Sequence, residues 1–148
     1  MIYRNRLISF ISFVLMAGVL CVSCTEKKEG KVMVSDKSFS IRKDGKIDWV
    51  VDAKGKIRNV GDVDVKNVVV TAYCRSCGEV VKSGNWFISN LPKTPVQQDV
   101  INYLAAGQEA QFGFKEIAFY FDQGHLGPKS LPENLEVVIE SFETAEGK

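Results

Sequence analysis

An all-β fold, an antiparallel β-sandwich of about six to eight strands, is predicted by three features of the chain. Apolar residues alternate with period two through "IDWVVDAKGKIRN", "VKNVVVTAYC" and "LEVVIESF". Val, Ile, Phe and Thr dominate these runs, and such side chains suit a pleated, half-buried surface. Turn formers recur between them, beginning with Asp44-Gly45, a pair that tolerates the positive φ a tight hairpin needs. A sheet with one apolar face must bury it against a second layer, and so the pattern implies two packed sheets. The 148 residues, 45% hydrophobic and 25% charged, are enough for one domain.

The first 24 residues, "MIYRNRLISFISFVLMAGVLCVSC", precede that domain. Arg4 and Arg6 form a positive head, and Leu7 to Leu20 an unbroken apolar run, the layout of a secretory signal. The end, "LCVSC", resembles the lipobox of bacterial lipoproteins, with Ser23 as the small residue before the cut. That resemblance implies a signal peptide over 1–23, lipid on Cys24, and loss of Cys21. The alternative is an uncleaved anchor over 7–25, uncharged and close to the ~20 residues a span needs. Either way the arginines hold the N-terminus on the cytoplasmic side and the rest lies outside the cytoplasm. Thr25 after the lipidated position is not an Asp-type retention signal, which points to the outer membrane where the host has one. "TEKKEGK" at 25–31 reads as a flexible tether, with the lipidated N-terminus and tether over 24–37 and the sandwich over 38–148.

Within the sandwich, a first strand is expected around Phe39–Ile41. After the Asp44-Gly45 turn, Trp49, Val51, Ala53, Gly55 and Ile57 share one face of the next strand. "VGDVD" turns, and in "VKNVVVTAYC" Val68, Val70 and Ala72 share one face while Val69, Thr71 and Tyr73 share the other. "EVVKSGNWFIS" predicts a strand kinked at Gly84. "EAQFGFKEIAFYF" supplies one or two more, and the last strand points Leu135, Val137 and Ile139 inward and Glu136 and Glu140 outward. A helix is expected, if anywhere, in "VQQDVINYL" at 96–104 after Pro95, with a loop as the alternative.

"GKIRNVGDVDVKNVVVTAYCRSCGEVV" at 55–81 and "LAAGQEAQF" at 104–112 resemble the FxLYD-type domains of envelope proteins, which are immunoglobulin- or fibronectin-III-like sandwiches. Gly55, Ile57 and Asn59 match the first element of that pattern, and Val68, Val70 and Tyr73 the second. Gly78 matches its turn, and Leu104, Gly107 and Phe112 its last stretch. The likeness spans roughly 47–142 and implies an immunoglobulin-like topology. Cys74 stands where the family has Asp, and 88–104 is longer than the usual link. The family brings no established catalytic residues.

Function classes narrow accordingly. The net charge is +1 with no run of four Lys or Arg, so no nucleic-acid footprint is visible. Zinc ribbons space their Cys pairs by ~15–20 residues, far less than the interval from Cys24 to Cys74. Cys74 and Cys77 lie outside the cytoplasm, where nearby thiols oxidise, and read as a hairpin staple. Free thiols, a redox couple and a metal site remain alternatives, although a strand rather than a helix follows Cys77 and Gly78 replaces the His of haem attachment. His125, the one histidine, sits in a Gly- and Pro-rich loop without a nucleophile beside it. Asp62 and Asp64 read as a polar turn rather than a calcium loop, and Trp49 and Trp86 as core rather than platform. No cofactor and no metal are called for, and no catalytic set is seen.

Loops 89–107 and 122–133 are the places where a rigid sandwich would bind a partner. Leu91, Val96, Val100, Ile101 and Tyr103 are the residues singled out there, the alternative being that they cap an open end of the sandwich. The expectation is a non-catalytic, lipid-anchored binding or assembly module of the cell envelope. A thiol–disulfide redox protein using Cys74 and Cys77 is the rival.

Overall fold

Strand β1 covers Val32–Lys43 and pairs along its whole length with β2, Asp48–Asn59, through the Asp44-Gly45 turn. The chain is described here by a computed structural model covering residues 28–145. Residues 32–37, expected in the tether, are therefore in the sheet. Their alternation is broken by a bulge at Ser35, between the pairs Val34/Ile57 and Asp36/Lys56, and this hides the strand from a period-two reading. The expected signal peptide over 1–23, Cys24 and the first tether residues, 25–27, lie outside the described residues.

Beyond β2 the chain forms β3 (Val65–Cys74), β4 (Trp86–Phe87), β5 (Gln98–Leu104), β6 (Glu109–Phe114), β7 (Phe119–Phe121) and β8 (Leu135–Thr144). These make two antiparallel sheets. One runs β1-β2-β7-β4, with β6 also on β2, and the other runs β5-β3-β8. β6 and β7 share one flank of β2, joined by a bulge at Glu116, where φ is 61°. Ile117 and Ala118 stay on β2 there, through Ile117 N–H to Val51 O at 2.8 Å and Val51 N–H to Ala118 O at 2.9 Å. The architecture is thus an eight-stranded all-β sandwich.

The inward faces are in the main those the alternation predicts, but Trp49 is only half-buried while Val50 and Thr71, on the opposite faces, are buried. Val51, Ala53 and Ile57 from β2 meet Val68, Val70 and Ala72 from β3, with Phe112, Phe114, Ile117 and Val137 closing the core. Each aliphatic side chain so buried contributes roughly 1.5–3 kcal/mol relative to exposure. Leu135 and Ile139 pack against this core while Glu136 and Glu140 face solvent. In β3, Asn67 takes φ 52°, so that Val65 and Val68 both point inward. Asn tolerates that left-handed conformation better than the valines beside it.

Two expectations are overturned. Residues 98–104 are a strand, not a helix, preceded by a single 3-10 turn over Pro95–Gln97. The segment after Pro95 instead pairs with β3, in the register Val65/Leu104 to Thr71/Gln98. The kinked strand expected from "EVVKSGNWFIS" shrinks to Trp86–Phe87, and Val80 and Val81 are 78% and 61% exposed.

The registers define two poles. Val32, Asn59, Val65, Leu104 and Thr144 end their strands together, and the described chain begins at that pole. Lys43, Asp48, Cys74, Phe121 and Leu135 lie at the other. With a rise of ~3.3 Å per residue, a twelve-residue strand such as β1 separates the poles by about 40 Å.

Candidate functional site

The far pole carries the cysteine pair. Cys74 ends β3, and its sulfur lies at bonding distance from that of Cys77, with the Cα atoms 5.4 Å apart. β3 and β4 belong to different sheets, so the bonded turn staples a crossing between the two layers and not a hairpin. Immediately after Cys77, Gly78 pairs with β4. Its N–H donates to Trp86 O at 3.2 Å and its carbonyl accepts from Ile88 N–H at 2.8 Å. The turn also docks on the loop before β8, through Arg75 N–H to Asn134 O at 3.0 Å and the Ser76 hydroxyl to Glu133 O. Replacing both cysteines by alanine removes a constraint on a very short loop, and an expected loss of about 2 kcal/mol follows. Urea unfolding of the double variant measures it.

Beside the turn lies a row of aromatic rings. Trp49, Tyr120 and Trp86 stand opposite one another across β2, β7 and β4. Tyr120 meets Trp49 edge-on at 6.1 Å between ring centroids and Trp86 at 5.2 Å. Both indoles are half-buried. The loop after β7 passes over them, with Gly127, φ 72°, against Trp49, and the Trp86 indole N–H donating to Ser130 O at 3.2 Å. Tyr120 was not singled out from sequence, although "FYF" alternation sets its side apart from that of Phe119 and Phe121.

Between the bonded turn and this loop is a cleft of about 530 Å³. Its lining includes Trp86, Gly78, Val80 and Lys82 from the segment after the bonded turn, and Leu131 and Pro132 from the loop before β8. A second recess of about 380 Å³, reaching Leu126 and Pro128, shares Trp86 and Ser130 with it. Leu126 is 91% exposed, so this pole presents apolar surface to solvent.

The residues singled out from sequence as a partner-binding loop do not form one group. Leu91 is exposed, but its loop is tied down where Lys93 Nζ donates to Ala72 O at 2.8 Å, over the Tyr73 ring. Burial holds the Lys93 pKa below its usual value. Val96 lies in the 3-10 turn, whereas Val100, Ile101 and Tyr103 are on β5, with Ile101 against the core. The Tyr103 hydroxyl donates to the Asp64 carboxylate, which also accepts the Ala106 N–H at 2.9 Å. Asp64 thus pins a turn with both its oxygens. Those bonds, the tyrosine's first, hold the Asp64 pKa below its usual value, while the same contact raises that of Tyr103. The stabilisation is present above the unfolded carboxylate value of ~3.9 and is lost as pH falls through the folded one. Tyr103→Phe is expected to move the Asp64 midpoint upward, as read by NMR titration of its carboxyl carbon.

His125, at φ 58°, sets Nδ1 3.3 Å from Lys46 O on an exposed turn. Among the described residues, no three or more His, Cys, Asp or Glu side chains converge as metal ligands, and no helix is long and apolar enough to cross a membrane. No family model matches the chain, and neither a curated protein nor a solved structure does.

Proposed function

We propose that the protein is a lipid-anchored, non-catalytic binding module of the cell envelope, held at Cys24 and binding through the cleft at its far pole. The observation that carries this reading is the cleft's place at the pole opposite the start of the described chain. Glu29, five residues after Cys24, is tied to the domain, since its carbonyl accepts the Asp62 N–H at 3.1 Å. The five residue steps from Cys24 to Glu29 then reach at most about 18 Å at ~3.5 Å each. A lipid on Cys24 keeps the turn at 60–64 near the bilayer and sets the cleft about 40 Å farther out, facing away. The likeness to FxLYD-type domains belongs to the same proposal. It is supported by the packing of its residues, since Ile57, Asn59, Val68, Val70, Leu104 and Phe112 are all buried.

Intact mass spectrometry of the native protein tests the anchor: a chain starting at an acylated Cys24 is expected. A cytosolic chain still starting at Met1 would falsify it. Spin-labelled lipid tests the orientation. It is expected to quench a fluorophore attached at position 62 strongly and one at position 126 little, and equal quenching contradicts the outward-facing cleft.

A second reading, thiol–disulfide exchange at Cys74 and Cys77, is favoured by their bonding distance alone. Cys74 is only 3% exposed, so an attacking thiol would have to enter at the partly exposed Cys77. A measured potential in the range of known oxidoreductases, roughly −270 to −120 mV, would promote it.

A further inference from the structure

We propose that the far-pole cleft is a saccharide site, which takes a short neutral stretch of glycan with one sugar ring laid on Trp86. This rests on the cleft being the binding site, and not on the lipid anchor. The volume of about 530 Å³ falls within the ~300–1,000 Å³ of small-ligand sites. A sugar ring has an apolar C–H face and a belt of hydroxyls that both donate and accept. It therefore calls for an aromatic surface edged by mixed polar groups.

The cleft supplies both. Val80, Leu131 and Pro132 line it together with the indole, and Asn85, Ser130, Lys82 and Glu133 complete its lining. Among the described residues, those four side chains make no hydrogen bond or ion pair. Two arginines at the same pole are already paired, Arg75 with Glu136 at 3.0 Å and Arg42 with Asp52 at 2.8 Å. One ammonium and one carboxylate leave the cleft without net charge, which disfavours an anionic polymer. Trp86 is held in place before any ligand arrives, by Tyr120 on one side and by its N–H on Ser130 O. A platform fixed in advance loses little freedom on binding.

An extended peptide is the competing occupant, and it gains affinity chiefly by adding to a free sheet edge. Here Gly78 already pairs with Phe87 on the outer edge of β4, so the main-chain ladder is taken. The second recess, sharing Trp86 and Ser130, gives a chain of two or more rings a place on either side of the indole.

The test uses the full chain in a non-glycosidic detergent, titrated calorimetrically with the tetramer of N-acetylglucosamine, maltotetraose, cellotetraose and a proline-rich octapeptide. At least one oligosaccharide is expected to bind with Kd of about 1 mM or below. Asn85→Ala and Glu133→Gln, both at exposed positions, are each expected to weaken it about tenfold. Trp86→Ala is expected to abolish binding, and Leu91→Ala, exposed but outside the cleft, to leave it unchanged. The proposal is overturned if none of the three sugars binds at about 10 mM, if binding ignores Asn85→Ala and Glu133→Gln, or if the octapeptide alone binds. An acylated native chain with no sugar binding keeps the anchor and removes only the saccharide. Sugar binding by a chain that starts at Met1 does the reverse.

Discussion

Asn59→Ala is expected to lower the unfolding free energy by about 3–4 kcal/mol, enough to unfold a large share of a marginally stable domain at physiological temperature. Asn59 is fully buried at the pole where the described chain begins. Its Nδ2 donates to Val63 O at 2.8 Å and Leu104 O at 3.1 Å, and its Oδ1 accepts the Gly61 N–H at 3.0 Å. Its backbone N–H and carbonyl also bond, to Gln108 O at 3.0 Å and from Gly107 N–H at 2.8 Å. One amide thus joins the end of β2, the turn after it and the end of β5 in the opposite sheet. Truncation leaves two carbonyls and one N–H without these partners, the Leu104 carbonyl in a buried setting, each costing on the order of 1 kcal/mol or more.

Asn59→Asp is the sharper form of the same experiment. It keeps the size and the acceptor but points a carboxylate at two carbonyl oxygens. Only the protonated acid can donate there, so the folded-state pKa of the new group lies above its unfolded value of ~3.9. The penalty is absent below that unfolded value, grows as pH rises above it, and is complete above the folded one. Urea unfolding of both variants at pH 7 and pH 4 reads the outcome. An Asn59→Ala loss under about 1 kcal/mol, or an Asp variant insensitive to pH, contradicts this account of the joint.

Much of the architecture could be read from local pattern, because burial on one side of a strand writes itself as alternation. β2, β3 and β8 show it over most of their length, and Val51, Ala53, Ile57, Val68, Val70, Ala72 and Val137 are inward as expected, although Val50 and Thr71 on the opposite faces are buried too. Where geometry departs from strict alternation the reading falters. The Ser35 bulge concealed half of β1, and Val96, Val100, Ile101 and Leu104 have spacings that fit a helical face as well as a strand of a twisted sheet. Val80 and Val81 look like strand residues but are exposed beside the cleft. The cleft itself had no local signature. It requires the bonded turn from β3, the two-residue β4 and the loop before β8 to meet, and residues 76, 86 and 132 say nothing of one another in sequence. What was legible there was piecemeal: a cysteine pair, a tryptophan, a Gly- and Pro-rich loop.

Gly55→Ala is the other substitution with a large expected effect, a loss of about 3 kcal/mol. A β-carbon at position 55 would lie 2.1 Å from Asp36 O, 2.9 Å from Asp36 C and 2.7 Å from Phe112 Cζ. The ring has some freedom to move. The carbonyl has little, because the β1–β2 ladder holds it from both sides of the bulge. Gly113→Ala is the control in the neighbouring strand, where the new carbon meets nothing nearer than Ala53 O at 4.0 Å. There alanine is expected to be neutral or to stabilise by about 0.5 kcal/mol, by restricting the unfolded chain. Phe112→Leu combined with Gly55→Ala separates the two clashes, since shrinking the ring relieves one contact and leaves the backbone oxygen. Only partial recovery of the urea midpoint is therefore expected. Equal midpoints for Gly55→Ala and Gly113→Ala would mean that the bulge does not press on Gly55. The consequence reaches the proposed function: β1 is the strand through which a lipid at Cys24 would hold the whole sandwich. A domain whose first strand peels away at Gly55 would stay on the membrane by its lipid and lose the fixed outward aim of its cleft.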